Sequence, residues 1–373
     1  MSVTAQNGVF SFGVQSAKGT EATNFYKHRV LATDLSPIVQ KDVFRPQVGD
    51  LPVPDGVYKT GAFYAGSVSM HPRLEYVYGY LLLGLMGDAE TPVDGGGSRY
   101  KHVFKMKAGE EHYIPWMTFR REVPGTNSGD EFGDMGLDCK IDTAQFTIPQ
   151  VGALVSDFSI KGREPRLLNS TDVGGWNYIN ADYENSDSVP VSMTGGIEIL
   201  HASTPLSNLP IVGARISFIN STTSVQEERV VGSYHPEDFA TRQRLVQIEI
   251  TYKWENSDLY RMIYNNNESD TVNDADQKFA PCIEFSRFKA NLTSPCEISD
   301  SITAPYEIEF EAAKVSWQPA SPITLAGDNM LMQNYVGIAM APDAGAYDSG
   351  TNHFGGDYFT ISLVNSHANA YTA

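Results

Sequence analysis

From Arg244 to Glu255 the chain alternates without a break. Val246, Ile248, Ile250, Tyr252 and Trp254 fall on one side of an extended backbone, and Gln247, Glu249, Thr251, Lys253 and Glu255 fall on the other. Strand side chains alternate between two faces, so this run suits a strand that is buried on one face and wet on the other. The pattern returns in Tyr306–Ala312, where Tyr306, Ile308, Phe310 and Ala312 oppose Glu307, Glu309 and Glu311. Three carboxylates about 7 Å apart along one strand repel each other unless water or a cation screens them. That face reads either as the solvent side of a sandwich or as a surface that repels something negative.

Composition points the same way. The 373 residues include 19 Tyr, 18 Phe, 32 Gly and 20 Pro, a mix that suits strands and turns more than long helices. With 41% hydrophobic and 19% charged residues, a sizeable core is available. The net charge of -18 disfavours a protein that grips nucleic-acid phosphates, which takes clustered Lys and Arg. Cys139, Cys282 and Cys296 form no CxxC and leave at least one thiol unpaired, so neither a disulfide framework nor a zinc cluster is expected. The opening MSVTAQNGVFSFGVQ shows no signal-peptide pattern, and the longest apolar stretch, Tyr76 to Met86, is short for a membrane span. The expectation is a protein made in a cytoplasm, with no membrane insertion.

Along the chain, Val9–Val14 reads as a strand. Thr33–Gly56 holds Pro37, Pro46, Pro52 and Pro54 and reads as an extended loop rather than a helix. Loops of that length are usually functional. Tyr58–Met70 is a half-buried strand. Pro72 then opens an amphipathic helix through Leu74, Val77, Tyr78, Leu81, Leu82 and Leu85, and Gly87 stops it. Further strands are expected at Tyr100–Lys107, Trp116–Glu122, Leu137–Ile148, Ala153–Gly162, Ala214–Ile219, Cys282–Leu292, Tyr306–Trp317 and Tyr358–Val364. A second short helix is expected from Ser257 and Asp258 through Leu259, Met262 and Ile263. Strand, helix, then strands occur in both halves, which suggests a structural duplication.

Catalytic patterns are thin. The eight histidines form no HExxH and no His/Cys ligand spacing, Gly95-Gly96-Gly97 is not followed by GK[ST], and no GxSxG occurs. Asp270, Asp274 and Asp276 resemble a calcium loop but lack its spacing and its terminal Glu. No enzyme, cofactor or metal is expected. The sequons at Asn169, Asn220, Asn267 and Asn291 would matter only behind a signal peptide. Two rival readings are a carbohydrate-binding β-sandwich surface protein, with Trp116, Trp176, Trp254 and Trp317 as stacking platforms, and a hydrolase built on a carboxylate pair that the sequence does not single out.

Three segments in order resemble the two-domain tail tube (major tail) proteins of long-tailed bacteriophages. They are FSFGVQSAKGTEAT, VYKTGAFYAGSVSMHPRLEYVYGYLLLGLMG and GARISFINSTTSVQEERVVGSYHPEDFATRQRLVQIEITYKWENSDLYRMIY. The likeness covers most of the chain at low identity and departs at Asn265–Lys278 and Pro319–Ala373. It implies an all-β chain of two tandem tail-tube-type β-sandwich domains, 1–175 and 176–373. Each would have a short flanking α-helix and contribute strands to a ring-shaped inner β-barrel. The resemblance further implies a structural virion protein that assembles with itself into a homotrimeric pseudo-hexameric ring, or alternatively a homohexamer. Rings would stack into the tail tube, an acidic-walled conduit along which DNA slides. Tape measure, terminator and baseplate or tip proteins would be its other partners. On this reading Gln247, Glu249, Thr251 and Lys253, or Glu307, Glu309 and Glu311, face the lumen. Thr33–Gly56 is then an arm to the next ring, with Asp42, Phe44, Arg45, Pro46, Val48, Asp50 and Leu51 as its candidate contacts.

Overall fold

The computed structural model describes residues 4–45, 47–49, 53–54, 56–96, 98–106, 114–127, 129–180, 184, 188–201, 204–205, 209–255, 257, 259–260, 286–294, 306–320, 331–340 and 358–372. The first half holds β1 (Val9–Val14), β2 (Tyr26–Lys27), β3 (Ala32–Thr33), β4 (Ser36–Val43), β5 (Val57–Met70) and α1 (Tyr78–Met86). It continues with β6 (Asp88–Ala89), β7 (Val93–Gly96), β8 (Arg99–Lys105), β9 (Met117–Val123), β10 (Phe132–Ile148), β11 (Val155–Leu168) and α2 (Ser170–Gly174). The second half holds β12 (Gly196–His201), β13 (Thr204–Pro205), β14 (Ile211–Ile219), β15 (Leu245–Lys253) and β16 (Ser286–Thr293). It ends with β17 (Glu307–Pro319), β18 (Met332–Met340) and β19 (Phe359–Asn365).

All the ladders are antiparallel, and two long strands organise them. On one side β10 pairs with β11 along its length. On the other it gives Phe132–Cys139 to β9 and Thr143–Ile148 to β14. In the same way β17 pairs with β16 on one side and divides the other between β19 and β18. The result is a broad sheet in the order β4-β5-β11-β10-β14-β15-β18-β17-β16-β12, with β9-β1-β2 and β19-β8 branching from it. The sheet curls so that its apolar sides meet: the rings of Phe146 and Phe310 lie 4.9 Å apart, as do those of Phe218 and Phe359. One buried cluster therefore draws on both halves of the chain. Among the described residues the halves are joined twice in the ladders, through β10–β14 and through β8–β19.

The strand-then-helix unit is present as β5 and α1, but the helix begins at Tyr78, and every residue of it except Tyr80 is buried. Apolar on all sides, it is a core helix and not the amphipathic one expected. Gly87, at φ 96°, closes it by donating its N–H to Leu83 O at 2.8 Å. The last carbonyls are met by a distant corner of the chain: Arg244 Nη2 donates to Leu85 O and Met86 O at 2.9 Å each, and Asn220 Nδ2 donates to Leu85 O at 3.2 Å. Asn220, one of the sequons, is thus a buried structural residue.

One other expectation changes. Thr33–Gly56 is not simply a loop, because Ser36–Val43 pairs with Val57–Ala65 to make a β-hairpin. Pro37 fits there because β4 is an edge strand, where a missing N–H leaves no ladder bond open. The C-terminal region, where the likeness departs, is built into the sheet. β18 lies between β15 and β17, β19 lies between β17 and β8, and Tyr371 is buried against α1. The second helix beyond Tyr260, the loop at Asp270–Asp276, and Cys282 and Cys296 lie outside the described residues.

Candidate functional site

The first notable surface is the hairpin. β11 pairs with β5 only from Tyr64 to Met70, so the outer part of the β4–β5 ribbon leaves the main sheet with a single partner strand on each side of the turn. Its apolar side chains point outward: Val39, Val43, Phe44, Val48, Val53, Val57 and Tyr58 are all exposed, Phe44 by 52%. The ribbon is stiffened locally. Phe44 N–H donates to Gly56 O at 3.0 Å, the Phe44 and Tyr58 rings lie 4.7 Å apart, and Tyr58 Oη donates to Asp42 Oδ2 at 3.1 Å. That hydrogen bond raises the Tyr58 pKa. At its base the ribbon is held by the β14–β15 loop. Arg229 donates to Thr60 O at 2.5 Å and to Gln40 Oε1, and Ala62 N–H donates to Tyr234 O at 3.0 Å. Of the expected arm residues, Asp42, Phe44, Arg45 and Val48 lie on this ribbon or its tip, and Pro46, Asp50 and Leu51 lie outside the described residues.

The second surface is the outer face of the broad sheet. Val246, Ile248, Ile250 and Tyr252 are buried, while Gln247, Glu249, Thr251 and Lys253 lie on the opposite, half-exposed face of β15. Registers carry that face across both halves: Glu249 sits opposite Arg215, Gln247 opposite Ser217, Ser217 opposite Gln145, and Gln145 opposite Asp157. On the far side, β18 adds Asn334 beside Thr251 and the exposed apolar Met332, Ile338 and Met340. Charges on the face come in pairs. Arg215 lies 3.5 Å from Glu249, which also accepts from Gln247 at 3.0 Å, and Lys253 lies 3.5 Å from Glu255.

Glu307, Glu309 and Glu311 share one side of β17, and an extra residue opposite β16 between Ala312 and Val315 keeps Lys314, Ser316 and Gln318 on that side. The three glutamates are not free. Lys289 lies 2.5 Å from Glu311 and 3.8 Å from Glu309, Lys101 lies 3.3 Å from Glu309, and Asn291 donates to Glu307. Glu311 is only 4% exposed. Burial, and after it the Glu309 charge, raises the Glu307 pKa. The repulsion read from the sequence is relieved by lysines on neighbouring strands, which the spacing within β17 cannot show. The tryptophans are likewise engaged. The ammonium groups of Lys18 and Lys140 sit 5.6 and 4.1 Å from the Trp116 ring, Arg120 lies 4.7 Å from that of Trp176, and Trp317 packs in the core near Phe288.

A third surface lies at the opposite end of the sheet and has no counterpart in the sequence reading. Two adjoining grooves, of about 240 and 300 Å³, share Ile148, Pro149, Gln150, Val212 and Gly213. The second opens onto the β15 face through Arg215, Glu249 and Thr251.

The family profile described as phage tail tube protein matches residues 56–312, well over half of the chain. The chain belongs to the phage tail tube family. The match runs from the hairpin's second strand to the middle of β17 and includes α1, β10, β14 and β15, the parts that join the two halves. The tail tube protein is therefore a structural component of the virion tail with a β-rich fold. No curated protein matches the chain.

Proposed function

We propose that the tail tube protein self-assembles into rings that stack head to tail as a conduit for DNA, with the face carrying Gln247, Glu249, Thr251 and Lys253 toward the lumen. The observation that carries this is the continuity of that face from β11 through β10, β14 and β15 to β18, built from both halves by the β10–β14 ladder. A curved, one-sided wall that spans two repeated halves is what a ring of three chains and six halves, divided as 1–175 and 176–373, needs. Its cations are matched by carboxylates on neighbouring positions, so phosphates meet no row of free positive charge, and the net charge of -18 keeps the polyanion moving. Glu307, Glu309 and Glu311, tied to Lys101, Lys289 and Asn291, would serve the margin of that wall. The projecting β4–β5 hairpin acts as the inter-ring arm, and its local hydrogen bonds reduce the ordering entropy of docking. Tape measure, terminator and baseplate or tip proteins would meet the ends of the tube.

Negative-stain electron microscopy of the purified protein tests the reading. Rings with threefold or pseudo-sixfold symmetry and hollow tubes are expected. A featureless monomer at every concentration would overturn it.

A further inference from the structure

We infer that the β-bulge at Thr60 is the hinge of the β4–β5 hairpin and that Arg229 is the positioning residue that fixes the direction in which the hairpin projects. This rests on the reading of the hairpin as an inter-ring arm and adds to it the device that aims the arm. Support for β5 falls away in steps along the strand. Residues 64–70 are paired with β11. At Ala62 that ladder has ended and the β14–β15 loop takes its place: Ala62 N–H donates to Tyr234 O at 3.0 Å, and Ala62 O lies 3.0 Å from His235 Nδ1. The bulge comes next. Gln40 pairs with Gly61 and Lys41 with Lys59, so Thr60 is left outside the pairing. Arg229 fills this point, with Nη1 donating to Thr60 O at 2.5 Å and Nη2 to Gln40 Oε1, one contact on each strand. Beyond it, among the described residues, 57–59 pair only with β4.

The local structure makes this point a hinge. A bulge bends its strand and increases the twist. Gly61 leaves room for the clamp, because a Cβ built there would fall on the Arg229 guanidinium. The first pair beyond the bulge, Lys41 opposite Lys59, sets like charges on one exposed face and weakens the ladder there. A two-stranded ribbon has little stability of its own, so its direction follows whatever Arg229 is attached to. That attachment is firm. The loop carrying Arg229 is closed at its stem by the Thr222–Thr241 bridge. Two residues of β10 hold it to the sheet: Asp142 Oδ1 accepts the N–H of Thr222 at 3.0 Å, and the buried Lys140 Nζ donates to Phe239 O at 2.9 Å. Arg229 thus passes the orientation of β10 on to the hairpin. Its planar fork reaches an acceptor on each strand, which a single ammonium group does less well. An arm aimed in advance loses less freedom when it docks.

Amide hydrogen exchange of the full chain, read by mass spectrometry, tests the clamp. Arg229→Ala is expected to speed exchange of residues 40–43 and 57–60 by about tenfold and to leave residues 64–70 unchanged. Gly61→Ala displaces the guanidinium while keeping its charge in the chain, and it is expected to do the same. The double variant should exceed neither single one by more than about twofold, because all three lose one and the same contact. Millimolar methylguanidinium is expected to restore slow exchange to Arg229→Ala but not to Gly61→Ala, a response that general loosening of the fold would not give. Elongation of tubes from rings, followed by electron microscopy, should slow in both single variants. Wild-type exchange in the hairpin of Arg229→Ala, or additive effects in the double variant, would overturn the hinge and leave the arm reading intact. Fast hairpin exchange with wild-type elongation would overturn the arm reading and leave the clamp standing.

Discussion

Glu184 shows how much a single buried group can shape this molecule's response to pH. Its Oε1 accepts the N–H of Val77 at 2.6 Å and its Oε2 has no hydrogen-bond partner among the described residues; burial, with the nearby Glu75 charge adding to it, pushes its pKa up to about 8. A raised carboxyl contributes its full stability below the unfolded value near 4.5 and loses it as pH rises through about 8. Glu184→Gln should therefore raise the melting temperature at pH 8–9 and leave it unchanged near pH 4, in thermal melts followed across that range. His28 works on the other flank. It is buried with Nε2 unpartnered among the described residues, and desolvation lowers its pKa to about 4. As a depressed base, it keeps the folded state intact above about 6.5 and costs stability as pH falls from there to about 4. His367, stacked beside His102 with ring centroids 5.8 Å apart, is lowered to about 4 for the same reason and adds to the loss. His28→Asn should flatten part of the acid limb of the same melts; an unchanged limb would refute the assignment. On the sheet face the expected effect is on cargo. Glu249 and Arg215 are half-exposed, so Glu249→Gln should change stability by less than about 1 kcal/mol. It should also leave Arg215 free, making assembled tubes retain DNA at low salt and release it as salt is raised, measurable by co-sedimentation.

At the scale of elements, two joints matter. The first is the C-terminus of α1, whose orphan carbonyls are met by Arg244 from the start of β15. A cation at that end of a helix is favoured by the helix dipole as well as by the hydrogen bonds. Arg244→Ala should cost about 1–3 kcal/mol, read by denaturant unfolding, because buried carbonyls would lose their donor. The second joint is the hairpin. Replacing residues 44–56 by a two-residue turn should leave a soluble, folded protein that makes rings but no long tubes, since the base of the ribbon keeps its own ladder and its clamp from Arg229. Unchanged polymerisation would count against an arm. The positions of the strands around these joints were largely legible in the sequence, where period-two runs marked β5, β15 and β17, but their order in the sheet was not. β4, β12 and β18 were missed for a physical reason. β4 carries Pro37 and exposed apolar residues with no buried face to create a pattern, and β18 interrupts its exposed row with Met332, Ile338 and Met340.

For the whole molecule, the question is how the two halves of the chain hold together. β8 from the first half depends on β19 from the end of the chain, and the last described residues bury Tyr371, whose hydroxyl donates to Tyr76 O at 2.6 Å while its ring lies 4.8 Å from that of Tyr80. Truncation after Met340 should therefore bare the edges of β17 and β8 and yield an aggregating, protease-sensitive product. Tyr371→Ala should cost about 3–5 kcal/mol through the cavity it leaves. Gly79 is the complement of that ring, since a Cβ there would fall inside it, and Gly79→Ala should cost about 1–3 kcal/mol through overpacking. A truncated chain with native far-UV circular dichroism and wild-type protease resistance would show that the C-terminal strands are dispensable.

What the sequence determined by itself is whatever depends on neighbours a few residues away. Alternation set which side of β15 and β17 is buried, Gly87 stopped the helix, and the ordered segments pointed to the tail tube family. What only the tertiary structure decided depends on strands far apart in the chain. Lys289 and Lys101 reach the glutamates of β17, Arg229 and Arg244 cross from the second half to the first, Pro37 lies along a hairpin edge, and the groove forms where β10 ends beside β14. A local pattern reports which face of a strand meets water. The partner that lies across that face is chosen by register, and register is settled by packing contacts between residues far apart in the chain, as where β8 meets β19.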